Sequence, residues 1–93
     1  MSECEIDRYG NKYWWVDGKL HRLDGPAIDY TDGYKAWWVD GKLHRLNGPA
    51  IERANGNKEW HVDGVELTEE EFNSHPKVCN YLFKLILEAE LEK

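Results

Sequence analysis

Aromatic and aliphatic residues occur along the first two-thirds of the chain in short runs that are separated by Asx-Gly pairs. The runs are rich in Trp, Tyr, Val and Leu, which fit the pleated surface of a β-strand. Asx-Gly pairs favour the positive φ angles of two-residue hairpin turns. The alternation predicts an antiparallel meander of β-hairpins with little helix before residue 68. The Asx residues of these pairs are Asp17, Asp24, Asp32, Asp40, Asn47, Asn55 and Asp63.

The runs form a repeat of 23 residues. The segment that begins at Trp14, WWVDGKLHRL, recurs unchanged from Trp37, and a third copy at Trp60 keeps the Trp, a Val and the Asp-Gly pair. Such fidelity predicts a repeat architecture in which each unit packs on its neighbours. We place the units at about residues 10–32, 33–55 and 56–67, in a β-repeat region of residues 1–67, followed by a helical cap of residues 68–93.

The number of strands in each unit follows from the direction of the chain. Each full unit has three Asx-Gly pairs, but three tight hairpins would reverse the direction of successive units and give identical sequences different surroundings. We therefore expect two principal strands per unit and one pair that forms a bend or bulge. Asp24-Gly25 is the best choice for the bend, because Pro26 has no N–H for a central ladder. About six to nine short strands are expected.

Alternation along these strands gives the predicted sheet two apolar faces. With a turn at Asp17-Gly18, the first face carries Trp14, Val16, His21 and Leu23, and the second carries Tyr13, Trp15, Leu20 and Arg22. The first face persists in the third unit as Trp60, Val62, Val65 and Leu67, whereas the second becomes polar there as Glu59, His61 and Glu66. We therefore predict that the first, continuous face is the core.

The second face is the predicted partner surface, because protein interfaces are enriched in Tyr, Trp and Arg. An alternative is that its arginines stack over neighbouring aromatic rings and shield them from water. The predicted partner-binding residues are Tyr13, Trp15, Arg22, Trp38 and Arg45.

The C-terminal region predicts two helices. Thr68 with Glu71 three residues later is typical of a capping box, and Phe72 is expected to dock the first helix on the end of the sheet. Pro76 fits the first turn of a second helix over roughly residues 77–91. The apolar arc of that helix is wider than a surface helix needs. It either covers an open face of the sheet in the same chain or pairs with another copy or a partner's groove.

Charge and cysteine content restrict the classes of partner. The formal net charge is −6 and no basic stripe exists, so direct nucleic-acid binding is not expected. Cys4 and Cys79 are far apart and form no ligand spacing, which favours a reducing, cytoplasmic setting. No signal-peptide pattern is present, and the apolar runs near the C-terminus are too short to span a bilayer, so membrane insertion is not expected.

Candidate chemistry is sparse. No Ser/His/Asp arrangement, phosphate-binding glycine loop or helix-borne His-Glu pair is present, so we do not expect an enzyme or a cofactor. His21 and His44 each lie opposite a Trp in the predicted hairpins, with no Cys or second His at ligand spacing, so no metal site is expected.

The hairpin segment WVDGKLH, with its 23-residue period, resembles MORN repeats over roughly residues 9–67. The chain departs from the usual pattern at Arg22-Leu23-Asp24, where MORN units usually carry glycines. The fuller HRxDGPA…WxVDGK pattern also resembles short repeat proteins of phages and large viruses. The positions that match the MORN pattern are Trp15, Gly18, Lys19, His21, Trp38, Gly41, Lys42 and His44.

The resemblance implies a non-enzymatic scaffold that binds proteins or lipids. We therefore expect a protein-binding module, in its most concrete form a phage-encoded inhibitor of a host defence protein such as a CRISPR effector, acting in the host cytoplasm. One alternative is a structural adaptor or self-assembling repeat protein, including a homodimer through the C-terminal helix. Another is a binder of a small ligand or lipid headgroup that uses Trp15, Trp38 and the two arginines.

Overall fold

The computed structural model describes residues 3–91, so residues 1–2 and 92–93 of the two predicted regions lie outside it. The described chain is an antiparallel meander of short strands followed by two helices, which confirms the predicted fold class. The strands are β1 Glu3–Ile6, β2 Lys12–Val16, β3 Lys19–Leu20, β4 Ile28–Asp29, β5 Lys35–Ala36, β6 Trp38–Val39, β7 Lys42–Leu43, β8 Ile51–Glu52, β9 Lys58–Val62 and β10 Val65–Leu67. The helices are α1 Glu69–Asn73 and α2 Pro76–Leu91.

Eight of the strands in residues 3–91 form one sheet in the order β1-β2-β4-β5-β8-β9-β10, with β3 paired to β2. The other two, β6 and β7, form a separate hairpin. Every pairing is antiparallel, and the ten strand segments slightly exceed the predicted number. The excess arises because each long strand of the repeat is bonded to different neighbours along its length.

Two kinds of turn recur in every unit. Asp17 and Gly18 both have positive φ, 50° and 76°, as a type I′ hairpin turn requires, and the equivalent Asp-Gly pairs of the later units do the same. A second turn, closed by Gly33 at φ 103°, joins β4 to β5. Gly25 is not in the positive-φ region, and the chain around it bends without strand structure. The predicted bend at Asp24-Gly25-Pro26 is confirmed.

Neighbouring units are joined at the tips of their hairpins. The N–H of Gly41 donates to the carbonyl of Leu20 at 2.9 Å, and one repeat later the N–H of Gly64 donates to the carbonyl of Leu43 at the same distance. The N–H of Arg22 likewise donates to the carbonyl of Trp38 at 3.0 Å. These bonds give successive units equivalent surroundings. The first two units can therefore share almost the same sequence.

A buried hydrophobic cluster lies where the third unit meets the helices. Val62, Phe72 and Val78 are buried together there, and Leu46, Trp60 and Leu67 pack against them. The prediction that the continuous Trp face forms a core is therefore confirmed at this end. It is wrong for Val65, which is 59% exposed. A second row of buried side chains, Ala27, Ala36, Ala50 and Ile51, lies along the middle of the sheet.

The helix starts follow the predicted capping chemistry. The Thr68 hydroxyl accepts a hydrogen bond from the Glu71 N–H at 3.1 Å, and the Glu71 carboxylate accepts one from the Thr68 N–H at 2.9 Å. At the start of α2 the Nδ1 atom of His75 accepts a hydrogen bond from the N–H of Lys77 at 3.1 Å. Lys77 also forms a salt bridge with Asp63, which fixes the first turn of α2 to the last hairpin.

Only the beginning of α2 packs against the sheet. Val78 is fully buried and Tyr81 is half-buried, but the large apolar residues that follow are exposed. The alternative in which this helix covers an open sheet face in the same chain is therefore wrong beyond its second turn. No helix within residues 3–91 has the length and apolar character needed to cross a membrane.

Phe72 and Phe83 make a matched pair for testing the core. Phe72 is 5% exposed and Phe83 is 62% exposed, although both are in helices. We expect Phe72→Ala to lower the free energy of unfolding by about 3 kcal/mol because it leaves a cavity. Phe83→Ala should change it by less than about 0.5 kcal/mol. Urea unfolding at submicromolar protein, followed by Trp fluorescence, measures both; equal losses would contradict this core.

Candidate functional site: a groove on the tryptophan face

A side-chain stack shapes the first unit. The guanidinium carbon of Arg22 lies 3.9 Å from the centre of the Trp14 ring. The Nε of Arg22 donates to Asp24 Oδ1 at 2.8 Å, and its Nη1 donates to the carbonyl of Pro26 at 3.2 Å. The hydrogen bond and the charge of Arg22 lower the pKa of Asp24. The loop after β3 is therefore wrapped around its own arginine.

The second unit repeats this arrangement. Arg45 lies 3.8 Å from the centre of the Trp37 ring and donates to Asn47 Oδ1 at 2.8 Å and to the carbonyl of Pro49 at 3.0 Å. It also donates to Glu52 Oε2 at 2.9 Å. Asn47 replaces the aspartate of the first unit at the same donor–acceptor distance, so this position requires an oxygen acceptor rather than a charge.

Two glycines complete these loops because they lie against the guanidinium groups. A Cβ atom added to Gly25 would lie 2.9 Å from the guanidinium carbon of Arg22, and one added to Gly48 would lie 2.9 Å from that of Arg45. Each guanidinium is thus in contact with an indole ring and with the backbone of its loop. This close approach explains the glycine that the sequence keeps before each proline.

The five predicted partner-binding residues do not share one face. Arg22 and Arg45 lie over Trp14 and Trp37, on the face opposite to the one predicted. The reason is that β3 ends at Leu20, so the chain leaves the strand before the arginine and strand alternation no longer applies. The sequence left open the alternative that these arginines stack over aromatic rings. They do so, but on Trp14 and Trp37 rather than on Trp15 and Trp38.

The remaining three predicted residues lie in strands on the second face. The Tyr13 hydroxyl donates to Asp7 Oδ2 at 3.3 Å. The rings of Tyr13 and Tyr30 pack edge to face, with their centres 5.9 Å apart. Hydrogen bonding with Tyr30, together with desolvation, raises the pKa of Tyr13 to about 12. Trp15 and Trp38 are half-buried, and the Trp38 indole N–H is buried without a hydrogen-bond partner. A role for these side chains in partner binding stays a prediction.

An open groove of about 470 Å³ lies on the Trp14 and Trp37 face, between the two arginine loops and α2. Leu23 at its margin is 80% exposed, whereas Leu46, one repeat later, packs against the C-terminal cluster. The groove exists because the helices cover only the third-unit end of this face. The groove is lined by Arg22, Leu23, Asp24, Gly25, Trp37, Val39, His44, Arg45, Leu46, Asn47 and Tyr81.

Sequence reasoning missed the groove because it assigned the whole Trp14 face to the core. One signal was available in the sequence. Leu23 and Leu46 are equivalent in the repeat, yet the chain has a single helical region to cover them both. This equivalence raises the question of which leucine the helices cover, and the structure shows that it is Leu46.

The two repeat histidines hold the hairpin tips together. Nδ1 of His21 accepts a hydrogen bond from the N–H of Asp40 at 2.9 Å, and Nδ1 of His44 accepts one from the N–H of Asp63 at 2.9 Å. In each case the imidazole of one unit contacts the backbone of the next unit's turn. Burial lowers the pKa of His44. These contacts give both histidines a structural role.

One cluster in residues 3–91 has metal-ligating side chains close together. Ligand atoms of Glu59, His61 and Glu66 lie within 4.8 Å of one another, at the positions that are apolar in the earlier units. Arg53 binds the Glu59 carboxylate and lowers its pKa. Nδ1 of His61 is buried without a partner, whereas a ligating imidazole normally donates its second N–H to an acceptor. The cluster therefore fits a metal ion poorly.

The groove is suited to binding an apolar side chain. Trp37, Val39 and Leu46 contribute apolar surface to its lining, and polar side chains contribute the rest; two of these, Arg45 and Asn47, are bonded to each other. A combination of aromatic, aliphatic and arginine side chains is typical of protein–protein interfaces.

Comparison with protein-family models, with curated proteins and with solved structures finds no match to this chain. The MORN-like resemblance therefore stays an expectation drawn from the hairpin sequence. The function is inferred from the groove, the exposed helix and the charge of the chain.

Gly48→Ala tests the contact between the arginine loop and its glycine. The added Cβ should displace Arg45 from Trp37 and lower the free energy of unfolding by about 1–2 kcal/mol. The control is the same substitution in an Arg45→Ala background, where the cost should fall below about 0.5 kcal/mol because nothing remains to be displaced. Denaturant unfolding of the four proteins measures this coupling. An unchanged cost in the Arg45→Ala background would contradict it.

The lowered pKa of His44 predicts a pH dependence of stability. Folding favours the neutral ring, so the unfolded chain binds more protons near the ordinary His pKa of 6.5. The contribution of His44 is complete above that value and is lost as the pH falls through it towards the lowered pKa.

His44→Asn keeps an acceptor for the Asp63 N–H but cannot be protonated. We therefore expect the variant to lose less stability than the unaltered chain between pH 7.5 and pH 5.5. Urea unfolding at both pH values measures the difference. Parallel losses in the two proteins would show that His44 does not titrate with folding.

Proposed function

We propose that this chain is a non-enzymatic protein-binding module that receives an apolar side chain of its partner in the groove. The observation that carries the proposal is Leu23, which is 80% exposed beside Trp37 while its repeat equivalent is covered. A partner side chain placed over Leu23 would cover it in the same way as the C-terminal cluster covers Leu46 in the second unit. Aromatic rings and exposed leucine in a polar surround are typical of such an interface.

The charge and hydrogen bonding of the groove favour a protein over the other ligands considered. A lipid headgroup or an anionic small molecule needs free cationic groups, but Arg22 and Arg45 donate to oxygen atoms of their own loops. A small-molecule site also normally encloses most of its ligand. The exposed Leu23 leaves this groove open along one side.

We extend the proposal to a phage-encoded inhibitor of a host defence protein, such as a CRISPR effector, acting in the host cytoplasm. The viral resemblance of the repeat supports this form, and so does the net charge of −6. Proteins that hold nucleic acid present basic surfaces, and an acidic chain is attracted to them. The groove would then supply the apolar contact with the partner, and the acidic surface would orient the partner as it approaches.

A self-assembling adaptor is the second candidate. It is favoured by the exposed apolar side chains of α2, which are a different surface from the groove. Pairing of two copies through this helix is compatible with partner binding in the groove.

Leu23→Glu tests the groove without disturbing the core, and Val65→Glu is its matched control. Both residues are exposed aliphatic side chains, but Val65 is in β10, away from the groove. Tagged chains are expressed in the native host, and proteins that co-purify are identified by mass spectrometry.

The expected result is one specific host protein that Leu23→Glu loses, with at least a tenfold weaker Kd for the purified pair, and that Val65→Glu retains. Equal retention by both variants would contradict the groove as the site. If the captured protein is a nuclease of a defence system, its cleavage activity should fall when the chain is added. Unchanged cleavage activity would contradict the proposal of an inhibitor, but it would still be consistent with the proposal of a protein-binding module.

A further inference from the structure

Beyond Tyr81, the large apolar side chains of α2 are exposed in the part of the chain that the structure describes. After Val78, which is buried, the helix carries large apolar residues whose exposures lie between 43% and 62%. Ile86 and Phe83 are the most exposed of them. At 100° per residue these side chains span about 200° of the helix circumference, with Glu90 inside that arc, and a polar stripe runs through Lys77, Lys84 and Glu88 on the opposite side. The exposed residues are Leu82, Phe83, Leu85, Ile86 and Leu87.

We propose that two copies of this chain pair through α2 as an antiparallel, two-fold-symmetric dimer. The inference builds on the self-assembly candidate and does not depend on what occupies the groove. In such a pair, the same apolar patch of each copy is covered by that of the other. The segment from Leu82 to Leu87 forms the centre of the interface.

The exposed area suits a weak, transient dimer. About half of each of five large apolar side chains is exposed, which amounts to roughly 400 Å² per copy and about 800 Å² for the pair. Adjacent smaller side chains of the same face, Cys79 and Ala89, enlarge the contact. An area of about 800 Å² is below the roughly 1,200 Å² of stable interfaces, so the pair is transient and the expected Kd is micromolar.

The distribution of charge along α2 selects the antiparallel direction. Lys77 and Lys84 precede Glu88 and Glu90 along the helix. The last turn carries no basic residue, so the acidic side chains lie near the negative end of their own helix dipole. An antiparallel partner runs the lysine-to-glutamate order of the second helix against that of the first, whereas a parallel one places Lys84 beside Lys84 and Glu88 beside Glu88.

The same charges make a lipid surface a poor occupant. Helices that lie on membranes usually have a basic polar face, which is attracted to anionic lipids. Here Lys77 is paired with Asp63, the stripe also carries Glu88, and the chain has a net charge of −6. A second copy supplies apolar cover from the same kind of helix face.

Sedimentation equilibrium between 1 and 200 µM tests the pairing with a matched pair of variants. Ile86 and Val65 are both β-branched and both 59% exposed, but only Ile86 is in α2. We expect the unaltered chain and Val65→Glu to dimerise with a similar micromolar Kd, and Ile86→Glu to weaken the dimer at least tenfold. Phe83→Gln, which adds no charge, should also weaken it. Circular dichroism at low concentration verifies that each variant is folded.

A chain that stays monomeric at 200 µM would overturn the proposal, as would equal dimerisation of Ile86→Glu and the unaltered chain. If that monomer binds neutral phosphatidylcholine vesicles, the helix is a lipid contact instead. A host protein captured through the groove would still support the binding module, so the two proposals can fail separately.

Cys79 tests the direction of the helices. It is exposed on the apolar side of α2, so a parallel pair would place the two Cys79 residues together. In an antiparallel pair with its axis near the centre of the apolar segment, they are at least about 15 Å apart, too far for a disulfide. We expect Cys4→Ser to form a sedimenting dimer that mild oxidation does not cross-link. Rapid cross-linking through Cys79 would overturn the antiparallel arrangement.

Discussion

The Asp-Gly turn at the tip of each long hairpin is the constraint on which the rest of the sheet depends. Asp17 and Gly18 both adopt positive φ, and the turn recurs 23 residues later with the same sequence. Because the backbone of each later turn donates to the carbonyl of the preceding unit, one turn fixes both a hairpin and a junction. The imidazole of His21 or His44 then accepts the N–H of the following turn's aspartate. Local geometry and long-range order are thus set by the same residues.

A chain of this size has little interior, and stacked side chains shield part of its apolar surface from water. Trp14 is covered by Arg22 and Trp37 is covered by Arg45, each held in place by a glycine-proline loop. At the third unit the repeat position of these arginines is Thr68, where α1 begins. The helices cover Trp60 in place of an arginine. The change from a stacked cation to a packed helix marks the end of the repeat and gives this end its buried cluster.

Much of the fold could be predicted because its signals are local. The hairpin turns, the bend before Pro26 and the capping box at Thr68 each depend on residues a few positions apart. Strand alternation failed at Arg22, because β3 ends two residues earlier and the loop sends the side chain to the other face. Such an ending depends on hydrogen bonds to the next unit, which periodicity does not report. The groove was missed for a similar reason, since the extent of helix packing depends on tertiary contacts.

The equivalence of the junctions has a consequence for the length of the array. The bonds that join the first unit to the second are the same bonds that join the second unit to the third. A further 23-residue copy inserted between them would meet suitable donors and acceptors on both sides, and neither β1 nor the helices would need to change. Tandem duplication and deletion within the gene could therefore lengthen or shorten the molecule while its two ends stay as they are.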